Sequence, residues 1–323
     1  MAGATQLFIC DRKEVVTMYL SFLINPTVNH DQGRTIWQTI QPILDQARCA
    51  YEFAFIKDYQ HAQRLAHKSY ERLHHHQNLI VVVIGNDELV NAVINGLIPP
   101  VQQEDKIPFA FIPTNPNSFL AKQLNVNHSP NTLINRILTT KKPVEINLGH
   151  YINSADQVQG YFINRLSIGL SAAVDQLIGP GPIRTWRYLR TAQQASKQIA
   201  PYNLMLNVNR HHIIFPNAIN TQVVNFPFTR TYHFRNKQYL RPPLEIAIAK
   251  EHHQWRLIWG LWLMFRHQQL FLLGSQRYRE KWFHFSASKP LTITTDHEVK
   301  GSHLVNLTID SVRYPFWDII KDS

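Results

Sequence analysis

Val81-Val-Val-Ile-Gly-Asn-Asp-Glu-Leu-Val-Asn-Ala-Val-Ile-Asn-Gly-Leu97 is the stretch on which the fold turns. With Leu79 and Ile80 ahead of it, the apolar run to Ile84 reads as a buried strand. Gly85-Asn86-Asp87 makes a short turn. Leu89, Val93, Ile94 and Leu97 then recur at helical spacing, and Pro99-Pro100 ends the predicted helix near Ile98. A strand, a tight turn and a helix N-terminus together form an anion site. Unpaired N–H groups and the helix dipole point at whatever lies there.

The same alternation extends on both sides. Val15 to Ile24 reads as a strand ending in Asn25-Pro26, and Ile36, Ile40, Ile43, Leu44 and Ala47 mark an amphipathic helix in which Pro42 predicts a kink or an early break. Tyr51 to Ile56 is a strand, and Ala62, Leu65, Ala66 and Leu73 mark a second helix. Ile107 to Pro113 is a fourth strand, and Phe119 to Leu124 starts another helix. Crossovers of this length suit parallel pairing, so residues 15–140 read as an α/β domain with a parallel sheet and its ligand edge at the strand C-termini. After Lys142 short alternating runs take over, among them Val144 to Leu148, Tyr161 to Asn164, Leu204 to Val208, His212 to Phe215 and Thr221 to Phe226. Residues 141–307 therefore read as a β-rich, sandwich-like second domain. Residues 308–323 are expected to return to the first domain, and residues 1–14 form an extension with no clear role.

Composition narrows the partners. The formal charge of +11 favours anionic lipid surfaces or nucleotides, with nucleic acid the least supported. Cys10 and Cys49 give neither a disulfide framework nor a metal spacing, which suits a reducing compartment. No secretory signal is evident, and the longest apolar runs are about half of the ~20 residues that a spanning helix needs. The expectation is a cytoplasmic protein, peripheral at the membrane.

The opening stretch resembles the phosphate-binding loop of the diacylglycerol kinase-like lipid kinases, a family that also takes in sphingosine kinases and is distantly related to NAD kinases. That loop usually reads Gly-Gly-Asp-Gly-Thr-Leu-Asn-Glu-Val, followed by Val-Asn-Gly-Leu. Gly85, Asp87, Asn91, Val93, Asn95, Gly96 and Leu97 fit. Asn86 and Glu88 stand in place of glycines, Leu89 in place of the threonine and Ala92 in place of the glutamate. Pro108 to Leu124 resembles the family's second nucleotide motif, with Asn115-Pro116-Asn117-Ser118-Phe119 where the family has Gly-Thr-Gly-Asn-Asp. Phe162 to Ala172 resembles the entry to the family's second domain, with Ser171 replacing an aspartate. Asp296-His297-Glu298 resembles its Asp-Gly-Glu.

The resemblance implies a lipid kinase that moves the γ-phosphoryl of ATP to a lipid hydroxyl with Mg2+. It implies Asn25, Gly85, Asn86, Asp87, Glu88, Asn115 and Asn117 around the nucleotide, Asp87 at the metal, and Asp296 and Glu298 at the transferred phosphate. Other roles stand beside these. Asp87 also suits a helix N-cap, and Asp296 and Glu298, two apart on a strand, would share a face as solvated acids. Glu88 decides more. A carboxylate about 4 Å from a phosphate oxygen repels it by on the order of 4 kcal/mol at an effective dielectric of about 20. If the replaced glycine were left-handed, a side chain would add roughly 1–2 kcal/mol. Pro116 removes a backbone donor from the second loop. The expectation is therefore weak or absent phosphoryl transfer, with a non-catalytic protein that binds lipid, membrane or a partner as the alternative. Arg184, Arg187 and Arg190, interleaved with Trp186 and Tyr188, suit an anionic membrane face or a solvated surface. Leu257 to Phe265 suits a lipid pocket or plain core.

Overall fold

The computed structural model describes residues 18–73, 78–98, 106–178, 185–208, 211–225, 244–250, 258–260, 262 and 274–317. The readings placed on residues 1–17, on Arg184, on 318–323 and on most of 257–265 lie outside these.

The first part alternates as its periodicity requires. In order come β1 (Tyr19–Ile24), α1 (Val28–Gln46), β2 (Ala50–Phe55), α2 (Tyr59–Leu73), β3 (Leu79–Gly85), α3 (Asp87–Leu97), β4 (Phe109–Pro113), α4 (Phe119–Gln123) and α5 (Pro130–Thr139). The strands lie in the order β2-β1-β3-β4 and pair in parallel. Both faces of β3 are covered, so every residue of Leu79–Gly85 is buried. Helix α1 departs from the expectation of a break at Pro42: it runs unbroken to Gln46. Core-facing Ile36, Trp37 and Ile40 before the proline and Leu44 after it are all buried, and this packing outweighs the one missing hydrogen bond.

The second part comprises β5 (Val144–Asn153), β6 (Val158–Phe162), β7 (Arg165–Gly169), α6 (Leu170–Ile178), α7 (Thr185–Gln198), β8 (Tyr202–Val208), β9 (His211–Asn225), β10 (Leu244–Lys250), β11 (Gln276–Glu280), β12 (Phe283–Thr295) and β13 (Glu298–Phe316). These strands pair antiparallel with one another. The two runs read separately at 212–215 and 221–226 join in the single strand β9.

All thirteen strands belong to one hydrogen-bonded sheet rather than to two separate ones, because β13 joins the halves. It pairs with β12 and β5 along its length and meets β4 in parallel at Phe316↔Phe109. Tyr314 and Phe316 lie in the apolar core of the first part. The Tyr314 hydroxyl donates to the Ile107 carbonyl at 2.8 Å, and the Trp317 indole donates to that of Ile137 at 3.1 Å. A second core fills the antiparallel part around Phe215, Phe283 and Phe285, and a third lies under α6 and α7.

Candidate functional site

The C-terminal ends of β1, β3 and β4 carry the loops that the motifs single out. The Asn25 N–H donates to Ile84 O at 2.9 Å, and the Thr114 N–H donates to Gly85 O at 2.8 Å, so the three loops lie side by side. A Cβ added to Gly85 would meet Leu89 Cδ2 at 2.5 Å, which accounts for glycine there. Asn86, not Asp87, is the N-cap residue of α3, and its side chain donates to the Tyr59 hydroxyl at 2.7 Å. The Asn86 φ is −103°, and Glu88 is not among the left-handed residues, so the backbone strain expected from replacing glycines is absent.

Asp87 opens α3 and ties it to α4: its Oδ2 accepts the Leu120 N–H at 3.0 Å, and its Oδ1 is buried without a partner. Burial pushes its carboxyl above the usual range, against the pull of Leu120 and Ser118. Burial likewise raises Glu88 to about 7; His297 opposes the rise, while Asp87 adds to it. Glu88 stands in the first turn of α3, at the helix N-terminus that would attract an anion. In the second loop, Asn115 Oδ1 accepts the Asn117 N–H at 3.0 Å, and Ser118 Oγ caps α4 by accepting the Ala121 N–H at 3.1 Å. Asn25 Oδ1 is taken up by Thr27. Asn25 Oδ1, Asn115 Oδ1 and Asp87 Oδ2 are thus engaged within the loops, whereas Asn86 Oδ1 and Asp87 Oδ1 are buried without a partner.

Asp296 and His297 do not lie on a strand. They are the central residues of the two-residue turn from β12 to β13, with φ of 47° and 73° and Thr295 paired to Glu298. Positive φ at both central positions is the type I′ hairpin turn, for which Asp-Gly is a preferred sequence. Asp296 and Glu298 therefore do not share a strand face, which corrects that expectation. The Asp296 carboxylate accepts four donors: Asn164 N–H at 2.8 Å and Arg165 N–H at 2.9 Å on Oδ1, Ile163 N–H at 2.6 Å and Asn91 Nδ2 at 2.8 Å on Oδ2. Four donors fill a carboxylate's acceptor sites, so this geometry leaves no lone pair for a substrate proton. Glu298 Oε2 lies 2.8 Å from Lys300 Nζ.

The half of the α3 motif that fits the family pattern has a structural job. Asn95 Nδ2 donates to the Tyr161 carbonyl at 3.0 Å, and Asn95 Oδ1 accepts the Tyr161 N–H at 2.8 Å. With Asn91 it stitches α3 to the chain from β6 to β7. Gly96 lets α2 approach, since a Cβ there would lie 2.3 Å from Gln63 O.

The residue that sequence reasoning missed is Asp175 of α6. Its carboxylate, 7% exposed, meets His297 Nδ1 at 2.8 Å, Arg165 Nη2 at 3.5 Å and the Thr294 hydroxyl at 3.1 Å. Burial would raise Asp175, but His297 and Arg165 outweigh it and hold the carboxyl below its usual range. His297 is 51% exposed at its side chain. Burial and Arg165 push its imidazole down; Asp175 and Glu88 outweigh them and leave it above its ordinary value.

Glu88 stands in the first turn of α3, where a polyphosphate would seat, and among the described residues no group of three or more His, Cys, Asp or Glu side chains is placed to hold a metal ion.

A layered α/β lobe is thus continuous with an antiparallel lobe, and the loops of the first gather at its strand C-termini. Residues 19–151 match the diacylglycerol kinase catalytic domain. The chain is 25% identical over 220 residues to "Putative lipid kinase YtlR" of Bacillus subtilis (strain 168), covering 64% of this chain and 69% of that one. Two crystal structures from Bacillus anthracis str. Sterne share the fold. One is titled as a "putative diacylglycerol kinase" (TM-score 0.64), the other as a diacylglycerol kinase (0.62); each is 16% identical and covers 94% of this chain and 98% of its own. The match to the diacylglycerol kinase catalytic domain thus lies in residues 19–151, and the likeness to these solved structures is one of fold.

Proposed function

We propose that this protein is a diacylglycerol kinase-like lipid kinase in which ATP-dependent phosphoryl transfer to a lipid hydroxyl is weak or lost, and whose surviving role is to hold lipid at an anionic membrane. We read residues 15–140 with 308–323 as the nucleotide-side domain and residues 141–307 as the lipid-side domain. The observation that carries the reading is Glu88: its side chain stands in the first turn of α3, at the helix N-terminus that would seat a phosphate. Asp296 points the same way, since its four donors make it a positioning residue rather than a base. No transfer step is assigned to ATP on this arrangement. Among the described residues no helix is long and apolar enough to cross a membrane.

Calorimetric titration of Mg-ATP into the purified protein, alongside ATP-dependent phosphorylation of a mixed lipid extract, tests the proposal. Little heat and little labelled lipid are expected. Tight binding with rapid lipid labelling would overturn the weak-transfer reading and leave an active kinase.

A further inference from the structure

The strand order ends at β2, and this edge is undefended. Among the described residues β2 pairs only with β1, in an unbroken register from Tyr19↔Ala50 to Ile24↔Phe55. One bond fixes which way its backbone faces: the Ile56 N–H donates to Ile24 O at 2.8 Å. Successive residues of a strand turn their N–H and C=O groups to opposite sides. Ala50, Glu52 and Ala54 therefore serve β1, whereas Tyr51, Phe53 and Phe55 turn their backbone groups to the open edge. Edge strands commonly carry lysine, proline or a bulge that discourages pairing. At the other end of the strand order, β11 carries Arg277, Arg279 and Glu280. In Ala50-Tyr-Glu-Phe-Ala-Phe55 the sole charge is Glu52, and there is no bulge.

The residues that face the edge also form an aromatic row on the α1 side. The buried Trp37 meets Phe53 at 4.6 Å and Tyr51 at 5.7 Å between ring centroids, and Arg34 lies over Phe55. Phe53 is nevertheless 45% exposed and Phe55 38%.

We infer that β2 is a dimerisation edge whose partner is β2 of a second copy, antiparallel, with Phe53 opposite its own counterpart. A two-fold axis normal to the sheet keeps like faces together, so the aromatic positions must meet one another. With Phe53 on the axis, Tyr51 lies opposite Phe55 of the second copy. Each such pair exchanges two N–H···O bonds from groups that already point outward. The aromatic pairs cover the exposed faces of Phe53 and Phe55. Glu52 falls opposite Ala54 of the second copy. A slip that set Glu52 against itself would oppose like charges, which is destabilising. Beyond the strand, the exposed Arg48 comes level with the exposed Asp58 of the second copy, and the reciprocal pair forms at the other end. Both open edges are consumed, so the assembly closes at two.

Sedimentation of the full chain over a range of concentrations tests the inference. A monomer–dimer equilibrium is expected, and Phe53→Lys should raise its dissociation constant by about tenfold or more, because it sets like charges opposite at the axis. Far-UV circular dichroism and the melting temperature show whether that variant keeps its fold. Phe53→Cys under mild oxidation gives a second measurement. Residues opposite in such a pair have Cα atoms about 5.5 Å apart, within the roughly 4.4–6.8 Å that a disulfide spans. A disulfide-linked dimer is expected, above the background of the unaltered protein with Cys10 and Cys49. Glu52→Cys, on the other face, should give far less. A chain that stays monomeric throughout would overturn the inference. So would a dimer that Phe53→Lys leaves unchanged and Phe53→Cys does not cross-link.

Discussion

Asn91 donates from its Nδ2 to the carboxylate of Asp296 at 2.8 Å, across 205 residues of chain, and both side chains are buried. This bond joins the first helix turn beyond the phosphate seat to the hairpin that closes the second lobe. Asp296→Asn would turn one acceptor oxygen into a donor facing N–H groups. At about 1–3 kcal/mol for each buried group left unsatisfied, the variant should lose roughly 2–4 kcal/mol of stability. Urea unfolding of Asp296→Asn against the unaltered protein checks this. A variant as stable as the original would return Asp296 to the list of free carboxylates.

Stability should depend on pH through Glu88. Its folded value of about 7 lies above the ordinary 4.5, so between these values the folded state binds the proton more tightly than the unfolded chain. The stability tied to that proton is present below the ordinary value and is lost as pH rises through about 7. His297, also raised, contributes with the same sign. Melting temperatures across about pH 5 to 8 should fall more steeply for the unaltered protein than for Glu88→Gln. Parallel curves would show that Glu88 does not titrate in this window.

Glu88→Gly should raise affinity for Mg-ATP by about tenfold or more, because it removes a carboxylate from the helix N-terminus. Adding Asn86→Gly should bring little further gain. Asn86 already has a φ of −103°, and its side chain holds Tyr59 at 2.7 Å. Calorimetry on both variants separates charge from backbone conformation: a gain that appears only with Asn86→Gly would place the obstacle in the backbone.

Helix α7 presents Trp186, 84% exposed, together with exposed Arg190 and Lys197. Arg187, although exposed, donates to the Ile178 carbonyl and so secures the join between α6 and α7. Co-sedimentation with anionic vesicles should therefore weaken for Trp186→Ala and for Arg190→Ala, by about 1 kcal/mol for the basic residue. Arg187→Ala should instead lower the melting temperature. Equal binding of all variants to neutral vesicles at high salt would refute the membrane role.

Gly96→Ala should destabilise the protein by about 1–3 kcal/mol or more, since its Cβ would lie 2.3 Å from a backbone oxygen of α2 and 2.8 Å from Ala66 Cβ. A melting temperature equal to that of the original would mean that the two helices can separate freely.

Much of this was legible in the chain, and the parts that were not share a cause. Leu79 to Ile84 and the spacing of Leu89, Val93 and Ile94 gave β3 and α3 because burial repeats with the backbone's own period. Asp296 could be placed near the cleft by its resemblance to a known motif, but its role could not be read. Three of its four partners are backbone N–H groups of 163–165, which leave no mark in residue identity. Asp175 was missed because its link to His297 spans 122 residues and follows no local pattern. Pro42 misled because propensity speaks for one hydrogen bond, whereas the buried face of α1 speaks for several side chains.

Strand β13 carries a consequence for the order of assembly. It follows β4, β5 and β12 in the sequence, yet it lies in the middle of the sheet, between β12 on one side and β4 with β5 on the other. Until it is synthesised and inserted, β4, β5 and much of β12 each show an open edge, and edges of that kind recruit stray strands. Contacts such as Tyr314 to Ile107, 207 residues apart, also demand slow loop closure. Newly made protein is therefore most exposed to mispairing just before β13 is threaded home.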